Sequence, residues 1–289
     1  MMKQHPILIT GGTGTTGSRI AKRLIERGYQ VRIASRRTAV ISGAEHVYFD
    51  WNDESTFKPA LEHVKRIYLV APVGVFDPSP YVFPFLEEAV RLGAERVVML
   101  SASVVLEDGP VFGKLHQAVR QQFPEWAVLQ PSYFMQNFIN AQHGLAIKNE
   151  DKIVTSAGDG KLGFVDAGDI AEVGVHALTD ELPHNTNHVI TGPQALSYSE
   201  AASMIGSVIG RPVKHENISL SALSERMIKA GLAEEYAHFM AGLDEAIRNG
   251  AENRVTDTVL RVTGRKPRSF SEFVTVHADN WRREAEGTL

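Results

Sequence analysis

Residues 7–17 read Ile7-Leu8-Ile9-Thr10-Gly11-Gly12-Thr13-Gly14-Thr15-Thr16-Gly17. A short apolar run stops at a cluster of glycines, and an amphipathic segment follows at once from Ser18 to Arg27. This order predicts a strand that enters a helix through a tight turn, whose glycines let the backbone approach a pyrophosphate closely. The N-terminus of such a helix offers N–H groups and a positive dipole end to an anion. We therefore expect a phosphate-binding turn here.

Two glycine spacings overlap in this turn. Gly12, Gly14 and Gly17 follow the dinucleotide fingerprint of many dehydrogenases, whereas Gly11, Gly14 and Gly17 have the spacing of short-chain dehydrogenases. Such a motif is weak alone, but its place after the first strand of a strand–helix–strand unit strengthens it. The residues expected to contact the dinucleotide at this turn are Gly11, Thr13, Gly14, Thr15, Thr16 and Gly17.

The second predicted strand ends in Ser35-Arg36-Arg37, and this ending favours NADP over NAD. An enzyme that prefers NAD usually places a carboxylate near this point to bind the ribose 2′-hydroxyl. No acidic residue occurs between Arg27 and Ala44, and an arginine fork pairs well with a 2′-phosphate. The alternative interpretation is that Arg36 and Arg37 only form a solvated turn.

The composition is that of an ordinary globular protein: 289 residues, 43% hydrophobic and 22% charged, with a formal net charge of -4. This charge gives no reason to expect a nucleic-acid partner, and no apolar run is long enough to span a membrane. The absence of cysteine excludes disulfides and thiolate metal sites. The short segment before Ile7 leaves no room for a signal peptide, so we expect a cytoplasmic protein. We also expect a small-molecule substrate. The sequence carries no signal for an oligomeric state.

Strand and helix patterns alternate regularly through the first half of the chain. Six apolar strands are predicted, the last over residues 126–130. This alternation predicts an α/β fold, a Rossmann doubly wound parallel sheet whose ligands bind beyond the carboxyl ends of the strands. Besides the glycine turn and residues 35–37, the residues expected to contact the cofactor at these ends are Asp50, Trp51, Ala71, Pro72 and Ser101.

The alternation loosens beyond Asn140. We assign residues 1–150 to an NADP-binding Rossmann domain and residues 151–289 to a smaller mixed α/β C-terminal substrate region, partly interleaved with the sheet. In this region a strand is predicted over residues 187–191, and Ser197 and Glu200 have the spacing of a capping box that opens a helix to Ile209.

The Tyr-x-x-x-Lys pair of short-chain dehydrogenases is missing. None of the seven tyrosines is followed four residues later by lysine. After the fifth strand the lysine is present as Lys114, but the tyrosine position is Pro110. Carbonyl–alcohol chemistry by the usual route is therefore not expected, because that route passes a proton from the tyrosine. Lys114 is a candidate catalytic residue that hydrogen-bonds the nicotinamide ribose, or else a solvated helix lysine.

Several motifs together resemble the NmrA-like, atypical short-chain dehydrogenases, and within them the festuclavine synthase/agroclavine dehydrogenase family of ergot alkaloid biosynthesis. These motifs, which cover essentially the whole chain, are Phe49-Asp50-Trp51, Ser101-Ala102-Ser103, Gly109-Pro110, Gly113-Lys114-Leu115-His116, Leu129-Gln130-Pro131, Phe134-Met135-Gln136-Asn137-Phe138, Gly158-Asp159-Gly160-Lys161, Ala167-Gly168-Asp169-Ile170-Ala171, His184-Asn185-Thr186 and Val262-Thr263-Gly264-Arg265. The chain departs from that family at Gln130, Tyr133 and Gln136, where the family has arginine, tryptophan and glutamate.

The resemblance implies NADPH-dependent hydride transfer to a carbon–nitrogen double bond. This agrees with the missing tyrosine, because hydride addition to an iminium carbon yields a neutral amine and requires no acid. The protein then has to orient the reactants and exclude water. The residues expected to bind the substrate are Ser103, Tyr133, Phe134, Met135 and Asn137. Phe134 and Phe138 are also interpretable as core residues, Phe138 more so.

Other functions find less support in the residues. A non-catalytic NADP(H) sensor is the main alternative, because some NmrA-like proteins bind dinucleotide and regulate partners without turnover. A sugar-nucleotide epimerase normally requires the missing tyrosine, and serine hydrolysis lacks its Gly-x-Ser-x-Gly elbow. Metal binding is not expected, because the interval between His184 and His188 is predicted not to bring the two imidazoles together. His116 is interpreted as a surface helix residue or, alternatively, as a proton relay.

Overall fold

The computed structural model describes residues 5–38, 41–109, 111–140 and 143–283. The predicted α/β fold with a doubly wound parallel sheet is confirmed. The strands are, in chain order, β1 (Ile7–Thr10), β2 (Val31–Ser35), β3 (Ala44–Tyr48), β4 (Arg66–Leu69), β5 (Arg96–Leu100), β6 (Glu125–Pro131), β7 (Lys152–Thr155), β8 (Lys161–Leu162), β9 (Thr186–Ile190), β10 (Leu196–Ser197) and β11 (Lys214–Asn217).

Helices connect most of these strands. They are α1 (Gly17–Glu26), α2 (Phe57–Leu61), α3 (Ser79–Arg91), α4 (Phe112–Gln122), α5 (Gly144–Glu150), α6 (Ala167–Thr179), α7 (Tyr198–Ile209), α8 (Leu220–Lys229), α9 (Glu234–Arg248), α10 (Thr258–Thr263) and α11 (Phe270–His277). The predicted capping box of α7 is present, since Ser197 and Glu200 each bond the other's backbone N–H. Within the described ranges, no helix combines the length and apolarity that crossing a membrane requires.

The central sheet is parallel and has the order β3-β2-β1-β4-β5-β6-β9. The chain runs outward from β1 to β3 on one side and from β4 to β9 on the other, so the order reverses between β1 and β4. Ligands of doubly wound sheets bind at such a switch point, beyond the carboxyl ends of the strands. The sheet has seven strands where six are predicted, because β9 joins its edge beside β6, pairing Thr186 with Ala127 and Ile190 with Pro131.

The chain divides into two compact units, and the first contains the sheet. It comprises residues 1–131, 167–190 and 258–265. One face of the sheet is covered by a core that includes Phe57, Phe85 and Leu115. Helices α1 and α6 pack together, and Arg23 Nε of α1 lies 2.9 Å from Glu172 Oε2 of α6.

The second unit comprises residues 132–166, 191–257 and 266–289. It contains two small sheets, the antiparallel pair β8–β10 and the parallel pair β7–β11. Its core is rich in aromatic residues, and the indole N–H of the fully buried Trp281 donates to the carbonyl of Phe138 at 2.7 Å. The division at residue 150 suggested by the sequence differs from these units: the first unit's opening segment ends with β6, and α6, β9 and α10 return to it.

Candidate functional site

The glycine turn after β1 is closed by contacts that leave no room for a side chain at Gly12 or Gly17. Gly11 has a φ of +64°, and the N–H of Gly14 donates to its carbonyl at 2.9 Å. A Cβ atom on Gly17 would lie 2.4 Å from that same carbonyl oxygen, and one on Gly12 would lie 2.5 Å from Cγ2 of Ile33. The turn therefore presents bare backbone at the start of α1, as a pyrophosphate cradle requires.

Threonine hydroxyls fix this turn to β4. Thr10 Oγ1 accepts a hydrogen bond from the N–H of Val70 at 2.7 Å and donates to the carbonyl of Val70 at 3.1 Å. The phenol of Tyr68, which is fully buried, donates to Thr16 Oγ1 at 2.9 Å. Burial raises the pKa of Tyr68, so this phenol stays neutral and acts as a structural donor. Thr13 and Gly14 remain exposed above these contacts, and Thr15 is half-buried.

The end of β2 carries the two arginines into solvent. Arg36 and Arg37 are exposed, and Ser35 Oγ donates to the carbonyl of Arg37 at 2.6 Å. Asp50 lies within electrostatic reach: hydrogen bonding from Asn52 lowers the pKa of this carboxyl, and the positive charge of Arg36 lowers it further. Both guanidinium groups are thus accessible at the carboxyl edge of the sheet, where the 2′-phosphate is expected.

The end of β3 is packed more tightly than the end of β2. Trp51 is half-buried and meets the ring of Phe49 edge to face at 4.8 Å and that of Phe85 at 5.3 Å. These contacts fix the indole beside Asp50.

The loop that follows β4 lies within electrostatic reach of Lys114. Ala71 is buried and Pro72 is half-buried. Further along this loop, hydrogen bonding from Ser79 lowers the pKa of Asp77, and the charge of Lys114 lowers it further. Lys114 is exposed in the first turn of α4. Pro110, at the predicted tyrosine position, lies outside the described residues.

The end of β5 contains a contact that sequence reasoning missed. His116 is not a surface residue: its side chain is 1% exposed, and its Nε2 lies 2.7 Å from Oγ of Ser101. Burial lowers the pKa of His116, and the negative charge of Glu107 opposes this. The order of apolar residues in α4 could have indicated this burial. Leu115, Ala118 and Val119 form the apolar face of the helix, and His116 lies on that face.

The loop from Ser101 to Gly109 is held on several sides. Gln130, one of the positions that departs from the family pattern, donates to the carbonyl of Val105 at 2.7 Å. Glu107 forms an ion pair with Arg120 of α4. A Cβ atom on Gly113 would lie 2.6 Å from the carbonyl oxygen of Leu106, so this glycine permits α4 to approach the loop.

The five predicted substrate residues fall in different units. Ser103 is buried at the end of β5 in the first unit, whereas Tyr133, Phe134, Met135 and Asn137 belong to the second. Met135 is buried, and Tyr133, Phe134 and Asn137 are half-buried. Phe138 is fully buried, which agrees with its interpretation as a core residue.

Tyr133 belongs to an aromatic cluster within the second unit. Its hydroxyl lies 2.8 Å from Nε2 of the buried His143, and its ring meets those of Tyr198 and Phe164 edge to face at 5.8 and 6.0 Å. Burial lowers the pKa of His143 to about 4, so its imidazole is neutral near pH 7. No sequence pattern indicates the contact between His143 and Tyr133, because it joins a helix start to a strand end.

The expectation that the imidazoles of His184 and His188 stay apart is wrong. Nδ1 of His184 and Nε2 of His188 lie 2.8 Å apart, and Nε2 of His184 lies 3.1 Å from Asp180. The two imidazoles meet because the chain turns between α6 and β9. Still, no group of three or more histidine, aspartate or glutamate side chains in the described ranges is arranged to hold a metal ion.

Comparison with known proteins finds two matching family models. The NmrA-like family model matches residues 115–274, and the model of the NAD dependent epimerase/dehydratase family matches residues 7–79. The chain is 66% identical to an uncharacterized oxidoreductase, YesF, of Bacillus subtilis (strain 168), over 97% of this chain and 98% of that one. It is 35% identical to agroclavine dehydrogenase of Claviceps fusiformis, over 95% and 98% of the two chains.

A solved structure shares the fold. It is the Citrobacter sp. triphenylmethane reductase complexed with NADP(H), with a TM-score of 0.80 and 21% identity, covering 94% of this chain and 99% of that one.

Replacing Gly17 by alanine tests the backbone closure of the turn. The new Cβ would meet the carbonyl oxygen of Gly11, which is backbone and has little room to move. We expect Gly17→Ala to lower the free energy of unfolding by about 1–3 kcal/mol, as measured by urea denaturation. Gly242→Ala on α9 is the matched control, because no atom lies within 4 Å of its Cβ position. A variant as stable as the parent would contradict this description of the turn.

Acid is expected to destabilise the protein through His143. Its pKa is about 4 in the folded chain, against an ordinary value of 6.5, so the unfolded chain binds the proton first as the pH falls. This residue alone should lower the free energy of unfolding by about 2 kcal/mol between about pH 7 and about pH 5. In His143→Gln, the midpoint of urea denaturation should fall less steeply between these two pH values. Part of the fall that remains should come from His188, whose pKa is also lowered to about 4. His238→Gln, at an exposed site, should leave the slope unchanged.

Proposed function

The chain belongs to the NmrA-like family, and we propose that it is an NADPH-dependent reductase that transfers hydride to an imine, an iminium ion or a similarly activated small molecule. Its relatives over nearly the whole length are named as oxidoreductases and dehydrogenases, which supports oxidoreductase chemistry. The observation that carries the proposal is the bare glycine turn at the sheet's switch point, with two exposed arginines at the end of β2. Together they fit a dinucleotide that bears a 2′-phosphate.

The residues of the first unit fit each part of NADPH. The N–H groups from Thr13 to Gly17, apart from that of Gly14, would bind the pyrophosphate, since the N-terminus of α1 lies there and Gly17 admits no side chain. Arg36 and Arg37 would pair with the 2′-phosphate. Ser35, Asp50 and Trp51 would border the adenosine, and Ala71, Pro72 and Ser101 would border the nicotinamide half.

Lys114 would hydrogen-bond the nicotinamide ribose. It is exposed in the first turn of α4, and its charge acts on Asp77 of the loop that follows β4. The cofactor, when bound, supplies the hydride. For an iminium acceptor the chain needs only to position the two reactants and exclude water, because the product is a neutral amine.

In the second unit, the residues proposed to contact the acceptor are Tyr133, Phe134, Met135 and Asn137. Aromatic faces and a thioether attract cations and adapt to flat apolar molecules. The hydrogen bond between Tyr133 and His143, together with the surrounding rings, holds the tyrosine in one orientation. A cationic acceptor fits this set, since the neutral His143 adds no repelling charge near pH 7.

The alternative is a non-catalytic NADP(H) sensor. It shares the cofactor site described above and differs only in whether an acceptor is reduced. Retention of Lys114 and the 35% identity to agroclavine dehydrogenase over 95% of this chain favour the enzyme.

Reversing the charge at Arg36 tests the choice of cofactor. We expect Arg36→Asp to raise the Kd for NADPH by about 10- to 100-fold, because a charged hydrogen bond to the 2′-phosphate is replaced by repulsion. The Kd for NADH, which has no 2′-phosphate, should not rise. Lys22→Asp makes the same change of charge on the exposed side of α1 and is the matched control. If Arg36→Asp binds NADPH as tightly as the parent, the cofactor assignment is wrong.

An acceptor panel tests the proposed activity. Loss of NADPH absorbance is followed with iminium, quinone and enal compounds, and we expect turnover with the iminium, whose reduction requires no protein acid. NADPH alone, without acceptor, is the control for uncoupled oxidation. Tight NADPH binding without turnover on any acceptor would overturn the proposal in favour of the sensor.

A further inference from the structure

Ser101 and His116 form a hydrogen-bonded pair of side chains that reaches from the carboxyl edge of the sheet into the core of the first unit. Ser101 follows β5 directly, is half-buried, and lies 2.7 Å through Oγ from Nε2 of His116. His116 is 1% exposed, and its Nδ1 is buried without a hydrogen-bond partner. Buried polar nitrogens normally have partners, so this one requires an explanation beyond packing. A serine hydroxyl backed by a buried imidazole is an arrangement that moves protons.

The pair is held in place from several sides. The N–H of Ser101 donates to the carbonyl of Leu129 in β6 at 2.8 Å. On the helix side, Gln117 Nε2 donates to the carbonyl of Glu107 at 3.1 Å, which ties the loop after Ser101 to α4. Val111, just before α4, has a φ of +60°, a conformation that β-branched residues rarely adopt and that clusters at functional sites.

The position of Ser101 relates the pair to the reaction. It lies beyond the carboxyl end of β5, next to β4 in the sheet, on the side of the switch point where the nicotinamide half is assigned. This step rests on the proposed function. A hydroxyl there is within the region where the hydride acceptor has to lie.

We propose that Ser101 donates a proton to acceptors that become anionic on receiving hydride, and that His116 is the positioning residue that replaces this proton through Nε2. The reductase would then also reduce α,β-unsaturated aldehydes, for which an iminium mechanism provides no acid. The role of the missing tyrosine would thus be taken by a different pair that follows the same strand, β5, for a wider class of acceptors.

Protons and electrons balance for an enal acceptor. The hydride brings two electrons and forms a new C–H bond at Cβ, and the carbonyl becomes an enolate. The Ser101 O–H bond breaks and its proton goes to Cα of the enolate, where the second new C–H bond yields the saturated aldehyde. Ser101 takes the Nε2 proton of protonated His116, which is left neutral with hydrogen on Nδ1. After the product leaves, solvent returns a proton to Nε2 through the half-buried Ser101 hydroxyl, so each turnover consumes one NADPH and one solvent proton.

The charges around His116 come from three elements. Glu107 of the preceding loop favours the protonated ring, although its own ion pair with Arg120 of α4 weakens this effect. Lys114 of α4 is exposed. On α3, which packs against α4, Glu88 is paired with Arg91. Burial therefore lowers the pKa of His116 and the carboxylate of Glu107 opposes this, so the protonated ring gives up its proton readily.

The test compares an enal with an iminium acceptor in the same variants. We expect Ser101→Ala to lower kcat for the enal about 100-fold more than it lowers kcat for the iminium, because general acid catalysis usually contributes about that much and a lost cofactor contact would lower both rates equally. Ser101→Thr, which keeps the hydroxyl, should restore most of the enal rate. His116→Gln should lower the enal rate in the same selective way, while His238→Gln, at an exposed site, should lower neither rate.

Measurements on the unmutated protein remain decisive if a variant misfolds. The enal reaction should be slower in D₂O and should slow as the pH rises, because the protonated ring supplies the proton, and the iminium reaction should do neither. Equal losses with both acceptors, or turnover of the iminium without any reduction of the enal, would overturn this proposal and leave the reductase intact. Turnover of neither acceptor would instead contradict the proposed function.

Discussion

Gly17 begins α1 against the carbonyl oxygen of Gly11, and the first unit depends on this contact. A Cβ at Gly17 would lie 2.4 Å from that oxygen. The helix α1 can therefore start this close to β1 only because residue 17 is glycine. Because α1 starts there, its axis passes along the sheet to meet α6, where Gly174 leaves the space that Ile20 and Leu129 fill. The same contact leaves the turn as bare backbone at the switch point. Packing of α1 on the sheet and the shape of the proposed phosphate-binding turn therefore depend on one steric constraint.

Most of the first unit follows from local pattern, because buried parallel strands are continuous apolar runs separated by turn residues. The place of β9 did not follow: Thr186–Ile190 has the pattern of a strand, but only its pairing with β6 shows that it extends the sheet. Long-range side-chain contacts were missed for the same reason. His116 meets Ser101 and His143 meets Tyr133 through the fold, and the sequence separation says nothing of either contact. His184 and His188 were misjudged because a turn entering a strand was expected to keep the imidazoles apart, whereas the chain bends at Asn185, with a φ of +44°, and brings them together.

Two kinds of residue make up the site, and they differ in how readily a sequence reveals them. Glycines and arginines of the cofactor site are recognisable in sequence, because backbone approach and charge require particular residue types at fixed places. Residues that support reactive groups have no such signature. Gln130 is an example: it departs from the family pattern, yet the structure gives it a clear task in holding the carbonyl of Val105. A substitution in the pocket region of the sequence is thus also a substitution in the support of the loop that follows Ser101.

Three buried histidines show why burial alone does not reveal function. His143 and His188 each have a contact at one ring nitrogen, to Tyr133 and His184 respectively, and burial lowers the pKa of both to about 4. His188 shares with His116 an unpartnered Nδ1, so an orphan nitrogen is not by itself distinctive. What separates His116 is its partner: Ser101 lies beyond the end of a central strand beside the switch point, whereas His188 lies on the edge strand β9. The place of a buried imidazole in the sheet is therefore what our proposal for His116 depends on, because ligands of doubly wound sheets bind at the switch point and not at the edge strand.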